Sequence, residues 1–206
     1  MGFSYWLGKT SFKILFHCYF RGSIHHVENV PRFGAFILAT NHASFLDPPM
    51  VGQALEQEIC YLARKSLFRY PVARQILLSW HAIPVERDEG DIAGMRAILN
   101  ALKSDRAVMI FPEGTRTNDG KLQPARPGVG FLVAKANVPV VPARIFGTFE
   151  AFGRGRRLPS PVKLHVTYGK PMTFDMTNVK REDKQAAYQK ISEDIMAAIA
   201  KLEPRD

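Results

Sequence analysis

Two short clusters of residues carry the chemistry of this chain. The segment Asn41-His42-Ala43-Ser44-Phe45-Leu46-Asp47 holds a histidine and an aspartate five positions apart. On a continuous helix that spacing is about 500° of rotation, so the two side chains diverge. They converge only where the chain turns between them, and a strand end running into a helix cap supplies such a turn. A carboxylate bonded to one imidazole nitrogen fixes the tautomer and leaves the other nitrogen as a base. His42 alone also reads as a structural histidine, and Asp47 alone as a helix N-cap.

The second cluster is Phe111-Pro112-Glu113-Gly114-Thr115-Arg116-Thr117. Gly114 permits unusual backbone angles, so neighbouring N–H groups can face an anion. Arg116 adds a planar donor fork that suits phosphate. In isolation the same residues read equally as a surface turn with a solvated arginine. Other chemistries are excluded. Leu122 stands where a nucleotide-binding loop needs Ser or Thr, and no third glycine follows Gly128 and Gly130 at position 133. There is no G-x-S-x-G nucleophile elbow. No histidine pair has metal-ligand spacing, since His25 and His26 are adjacent. Cys18 and Cys60 are the only cysteines, which excludes a disulfide framework and a cysteine-based zinc site and fits a reducing compartment.

The elements that must position these clusters alternate. Residues 35–40, 59–63, 82–85, 107–111, 138–143 and 163–168 read as short strands. Asp47-Pro48-Pro49 opens a helix with a cap and prolines in its first turn. Residues 66–80 read as a helix broken at Pro71. Ile92, Met95, Leu99 and Leu102 have helical spacing, as do residues 129–136. Residues 112–128 and 146–161 read as loops. Tyr188, Ile191, Ile195, Ile199 and Leu202 form a closing amphipathic helix. The expected fold class is α/β, a mixed, mostly parallel sheet flanked by helices. Such sheets bind ligands beyond the carboxyl ends of their strands, where both clusters fall.

The chain has 206 residues, 46% of them hydrophobic and 23% charged, an ordinary globular composition that argues against disorder. Net charge is +9, which favours phosphate-bearing partners. No apolar run is long enough for a conventional transmembrane helix. Near the start, Lys9, Lys13, His17 and Arg21 recur every four residues, with Trp6, Phe12, Leu15, Phe16, Tyr19 and Phe20 on the remaining surface. That pattern predicts an amphipathic helix over 1–22 lying in a membrane interface, cations toward headgroups and aromatics toward acyl chains. The competing reading packs it on its own domain. Residues 23–206 then form a single α/β domain.

Taken together, the chain resembles the glycerolipid acyltransferase family over residues 41–143. The family's N-H-x-S-x-x-D motif is matched by Asn41, His42, Ser44 and Asp47, and its F-P-E-G-T-R-[ST] motif by Phe111 to Thr117. Val138 to Pro142 matches V-P-[VI]-[VI]-P. The motif G-x-I-x-[IV]-x-R is met by Ile83, Val85 and Arg87, but His81 replaces the glycine. Leu122 to Gly128 resembles L-x-P-F-K-x-G, with Ala125 for Phe and Arg126 for Lys.

The resemblance implies acyl transfer from a thioester, carried by coenzyme A or acyl carrier protein, to the free hydroxyl of a lysophospholipid acceptor, lysophosphatidic acid in the first place. It implies His42 as general base oriented by Asp47. It implies Arg87, Glu113, Gly114, Thr115, Arg116, Arg126 and Lys65 as substrate-binding residues, with no metal or cofactor. The expected setting is the cytoplasmic face of a bacterial inner membrane, peripheral or monotopic, on a phospholipid surface. Arg154, Arg156 and Arg157 are read as binding headgroups or the phosphopantetheine carrier, or as a solvated loop. The alternatives are the same chemistry on glycerol 3-phosphate, another lysophospholipid or a lyso-aminolipid, and a basic binding protein without chemistry. No nucleic-acid motif appears.

Overall fold

The computed structural model describes residues 2–86, 92–126 and 128–204. Helix α1 (Phe3–Ile14) runs into a π-helical turn (Leu15–Tyr19) and then strand β1 (Ser23–His25). Strand β2 (Ile37–Thr40) is followed by the short helix α2 (Asp47–Gly52) and by β3 (Ile59–Cys60) and β4 (Leu62–Arg64). A 3₁₀ turn (Lys65–Arg69), α3 (Pro71–Ser79), β5 (Ile83–Val85), α4 (Ile92–Lys103) and β6 (Ala107–Ile110) come next. The chain closes with α5 (Gly128–Ala136), β7 (Val140–Phe146), α6 (Thr148–Phe152), β8 (His165–Tyr168) and α7 (Lys184–Ala200).

The main sheet has the order β1-β8-β7-β2-β6-β3, and every pairing is parallel except β7 with β8. This is the mixed, mostly parallel α/β sheet the pattern predicted. Alternation along the strands divides the core into two layers. Leu38, Met109 and Val141 face Phe16, Phe20, Met50 and Leu55 from the N-terminal segment and α2. Ile37, Ala39, Val108 and Ile110 face Ile98, Leu132, Ile191 and Ile195 from α4, α5 and α7. Central strands buried on both faces are why these runs are continuously apolar.

Several boundaries differ from the sequence reading. Residues 59–63 are not one strand. The chain leaves the main sheet at Tyr61, whose carbonyl accepts the Ile83 N–H at 2.7 Å, and β4 pairs with β5 in a separate parallel ribbon. Pro71 does not break a helix but starts one, at the position where a missing N–H costs nothing. The segment 146–161 contains α6, and the three-residue β1 was too short to register.

The N-terminal segment packs one side on its own domain and exposes apolar side chains on the other. Tyr5, Phe16 and Phe20 are buried, and Phe12 packs edge-on to Trp80 at 5.3 Å. Lys9 turns inward to the Leu55 carbonyl, so the four cations do not form one headgroup-facing stripe. Its burial, with Lys13 nearby, lowers its pKa. The outward stripe is instead Phe3, Trp6, Leu7 and Ile14, all at least half exposed.

The tightest helix contact is α5 against α7. A Cβ on Gly130 would stand 1.8 Å from the Tyr188 carbonyl oxygen, and the Gly130 N–H donates to Ser192 Oγ at 2.9 Å. Gly130→Ala is therefore expected to destabilise the fold by about 1–3 kcal/mol. Thermal unfolding should show a midpoint several degrees lower.

Candidate active site

Strands β2 and β6 are parallel neighbours, so the segments leaving them emerge side by side at one sheet edge. Their pairing sets Ile37 opposite Val108 and Ala39 opposite Ile110, a constant offset that carries on past the strand ends to set His42 against Glu113. The backbone bonds follow this register. Glu113 Oε1 accepts the His42 N–H at 2.8 Å, and the His42 carbonyl accepts the Thr117 N–H at 2.9 Å. Asn41 locks the same segment to β7. Its Oδ1 accepts the Ile145 N–H at 2.8 Å and its Nδ2 donates to the Ile145 carbonyl at 3.0 Å.

Between His42 and Asp47 the chain turns back on itself. Asp47 Oδ2 receives the His42 Nδ1–H at 2.9 Å and the N–H groups of Ala43 and Ser44 at 2.6 and 2.7 Å. Because a carboxylate only accepts, Nδ1 carries the hydrogen and Nε2 keeps its lone pair. Asp47 is fully buried, so the bond is shielded from water. The imidazole stacks on Phe111 with ring centroids 3.8 Å apart, which fixes its plane. Ser44 Oγ donates to the Phe152 carbonyl at 2.7 Å and accepts the Leu46 N–H, tying the turn to α6. Asn41, Ser44, Phe111 and Thr117 are thus positioning residues that the sequence displayed only as motif letters.

Glu113 departs from its expected substrate role. It is 3% exposed, and its second oxygen accepts the Gln123 N–H at 3.1 Å. Burial raises its pKa, against the pull of the two N–H donors. Both oxygens hold backbone. Gly114 has φ +67, and a Cβ there would meet Arg126 Nε at 2.7 Å, so the glycine leaves room for the Arg126 side chain to cross the loop. The Arg116 guanidinium lies 3.6 Å over the Phe45 ring. Thr115 Oγ1 accepts from Arg154 Nη2 at 3.1 Å. Lys65 pairs with Glu86 at 3.3 Å, and it is Glu86 and Arg64, not Lys65, that line the cavity. Arg87 lies outside the described residues. His81, where the family motif has glycine, takes a left-handed φ of +56 and is held by Glu58 at 2.7 Å.

His42 opens into a cavity of about 770 Å³. Arg64, Glu86, Gly114, Arg116 and Arg126 supply its polar lining. Phe12, Leu67, Leu77, Trp80 and Val85 supply an apolar lining. One cavity therefore presents an oriented imidazole, guanidinium groups and an apolar wall. No group of three or more His, Cys, Asp or Glu side chains suited to a metal ion exists among the described residues.

Glu113→Gln replaces one acceptor oxygen with an NH₂ that faces the Gln123 N–H. It is expected to lower kcat at least tenfold through displacement of His42 while leaving the acceptor KM within about twofold. A rise in KM at constant kcat would assign Glu113 to the substrate instead.

Comparison with known proteins identifies the family and the fold. The family model described as Acyltransferase matches residues 21–146. A 1-acyl-sn-glycerol-3-phosphate acyltransferase of Bacillus subtilis is 27% identical over 166 residues, 80% of each chain. One of Limnanthes alba is 30% identical over 162 residues, 77% of this chain but 57% of the longer plant protein. The crystal structure of the Thermotoga maritima lysophosphatidic acid acyltransferase PlsC superposes with a TM-score of 0.74 over 98% of this chain and 80% of that one, at 22% identity, and shares the fold. With the family model spanning both strand-end clusters and the sheet that joins them, the chain belongs to the acyltransferase family.

Proposed function

We propose that this enzyme transfers a fatty acyl group from a thioester donor to the free hydroxyl of lysophosphatidic acid, giving phosphatidic acid. The single observation that carries the reading is the His42–Asp47 pair opening into a cavity with guanidinium groups and an apolar wall. The names of the Bacillus and Limnanthes relatives support the same acceptor.

The thioester is already activated, so no covalent enzyme intermediate or cofactor is required. The acceptor oxygen attacks the carbonyl carbon as its proton passes to His42 Nε2. The C–O bond forms, and the carbonyl oxygen takes the negative charge. On collapse the C–S bond breaks and the imidazolium returns the proton to the leaving thiolate. Asp47, fixed at Nδ1, stabilises the imidazolium between these steps. Arg116 and Arg126 hold the acceptor phosphate, so its hydroxyl reaches His42 in one orientation. The apolar wall takes an acyl chain, each buried CH₂ contributing about 0.8 kcal/mol.

His42→Ala is expected to cut kcat by about 10²–10⁴-fold, the usual worth of a general base. Thioester turnover with a panel of lysolipids checks both claims. Acylation of acceptors without phosphate as fast as lysophosphatidic acid would remove the role given to Arg116 and Arg126.

The acceptor resides in a bilayer. No helix among the described residues is long and apolar enough to cross one. The outward stripe of Phe3, Trp6, Leu7 and Ile14 fits partial insertion into a lipid surface, which makes the enzyme peripheral or monotopic. Deleting residues 1–21 would remove Phe16 and Phe20 from the core, so point changes are the sounder probe. Trp6→Ser with Leu7→Ser and Ile14→Ser is expected to weaken sedimentation with phospholipid vesicles at least tenfold and to spare the unfolding midpoint. Unchanged sedimentation overturns the insertion.

A further inference from the structure

We propose that the loop carrying Arg154, Arg156 and Arg157 binds the phosphate of the donor's phosphopantetheine arm. The inference rests on the thioester reading above and adds a site to it. Arg154 Nη2 donates to Thr115 Oγ1 and to the Arg116 carbonyl, both at 3.1 Å, so the loop is fastened to the segment that supplies the cavity's guanidinium Arg116. Those bonds use one guanidinium nitrogen and leave Nη1 and Nε for another acceptor. Arg156 Nη1 reaches only the Ser160 hydroxyl, at 3.3 Å. Among the described residues none of the three arginines has a carboxylate partner. All three are exposed.

The loop is nonetheless built. The Ser160 N–H donates to the Ala151 carbonyl at 2.8 Å, and Tyr19 Oη donates to the Pro159 carbonyl at 2.8 Å. Gly155, at φ +82 with nothing within 4 Å, lets the chain turn between Arg154 and Arg156. Three cations in four residues, held on a braced turn that Arg154 fastens to Thr115 and Arg116, form a site for a multiply charged anion.

The reaction has two phosphate-bearing partners. Arg116 and Arg126 inside the cavity serve the acceptor. The donor's sulfur must stand beside His42, with its acyl chain along the apolar wall, so its arm leaves by the polar side. An extended pantetheine spans about 15 Å, the reach of four or five extended residues. Only two short bonds, Thr117 to His42 and Arg116 to Arg154, link the base to this loop, so it lies within that reach. Leu158 in this loop is exposed as well, and the vesicle arm of the experiment separates the donor from lipid headgroups.

The experiment measures KM for acyl-pantetheine, acyl-phosphopantetheine, acyl-coenzyme A and acyl carrier protein with wild type, Arg156→Ala/Arg157→Ala and Arg157→Glu. The acceptor is a short-chain lysophosphatidic acid. Wild type is expected to favour the phosphorylated donors, and in the variants their KM should rise about tenfold, collapsing the preference over acyl-pantetheine. The wild-type ratio of the last two donors tells whether the phosphate is read on the nucleotide or on the carrier protein. An equal change for all donors, a rise in acceptor KM alone, or weakened binding to anionic vesicles with the donor preference intact overturns the site. Failure of wild type to use any thioester overturns the reaction itself.

Discussion

The parallel register of β2 and β6 is the constraint from which the site follows. Because the offset is constant along the pair, the first residues beyond each strand must meet. His42 meets Glu113 there, with its N–H and carbonyl both taken by the second motif. A buried carboxylate is expensive unless its lone pairs are filled, and Glu113 fills them with backbone donors from two segments. The cost of burying it is thus exchanged for rigidity where His42 stands.

Asp47 fills only one of its oxygens, and Oδ1 is buried without a hydrogen-bond partner among the described residues. One oxygen collects the imidazole and two backbone N–H groups, so it shapes the turn and orients the ring with one atom. A helix N-cap and an orienting carboxylate are usually separate devices. Here the carboxylate takes only the second part: it holds the N–H groups of Ala43 and Ser44 upstream, and α2, with Leu46 at its N-cap position, starts without a side-chain cap. Phe111, stacked on the ring from the partner strand, completes a cage assembled from two parallel neighbours.

Electrostatics and shape divide the molecule along the cavity. Its polar lining draws on Arg116 and Arg126 and lies next to the loop of Arg154 to Arg157, while its apolar lining is built by α1, the turn after β4 and α3. The N-terminal segment serves both sides of that wall. Tyr5, Phe12, Phe16 and Phe20 pack inward, and Phe3, Trp6, Leu7 and Ile14 remain outward.

The sequence by itself determined the α/β class, most of the strands and the two clusters, because alternation, caps and motif spacing are local signals. It also marked His42 and Asp47 as a pair that a turn between them would bring together. Tertiary structure decided the rest. The role of Glu113 depended on which backbone it would meet 71 residues away. The inward turn of Lys9 depended on the Leu55 carbonyl, and the split at Tyr61 on pairing with Ile83. These outcomes rest on partners distant in the chain, and residue type and periodicity carry no information about a partner until the sheet order has chosen it.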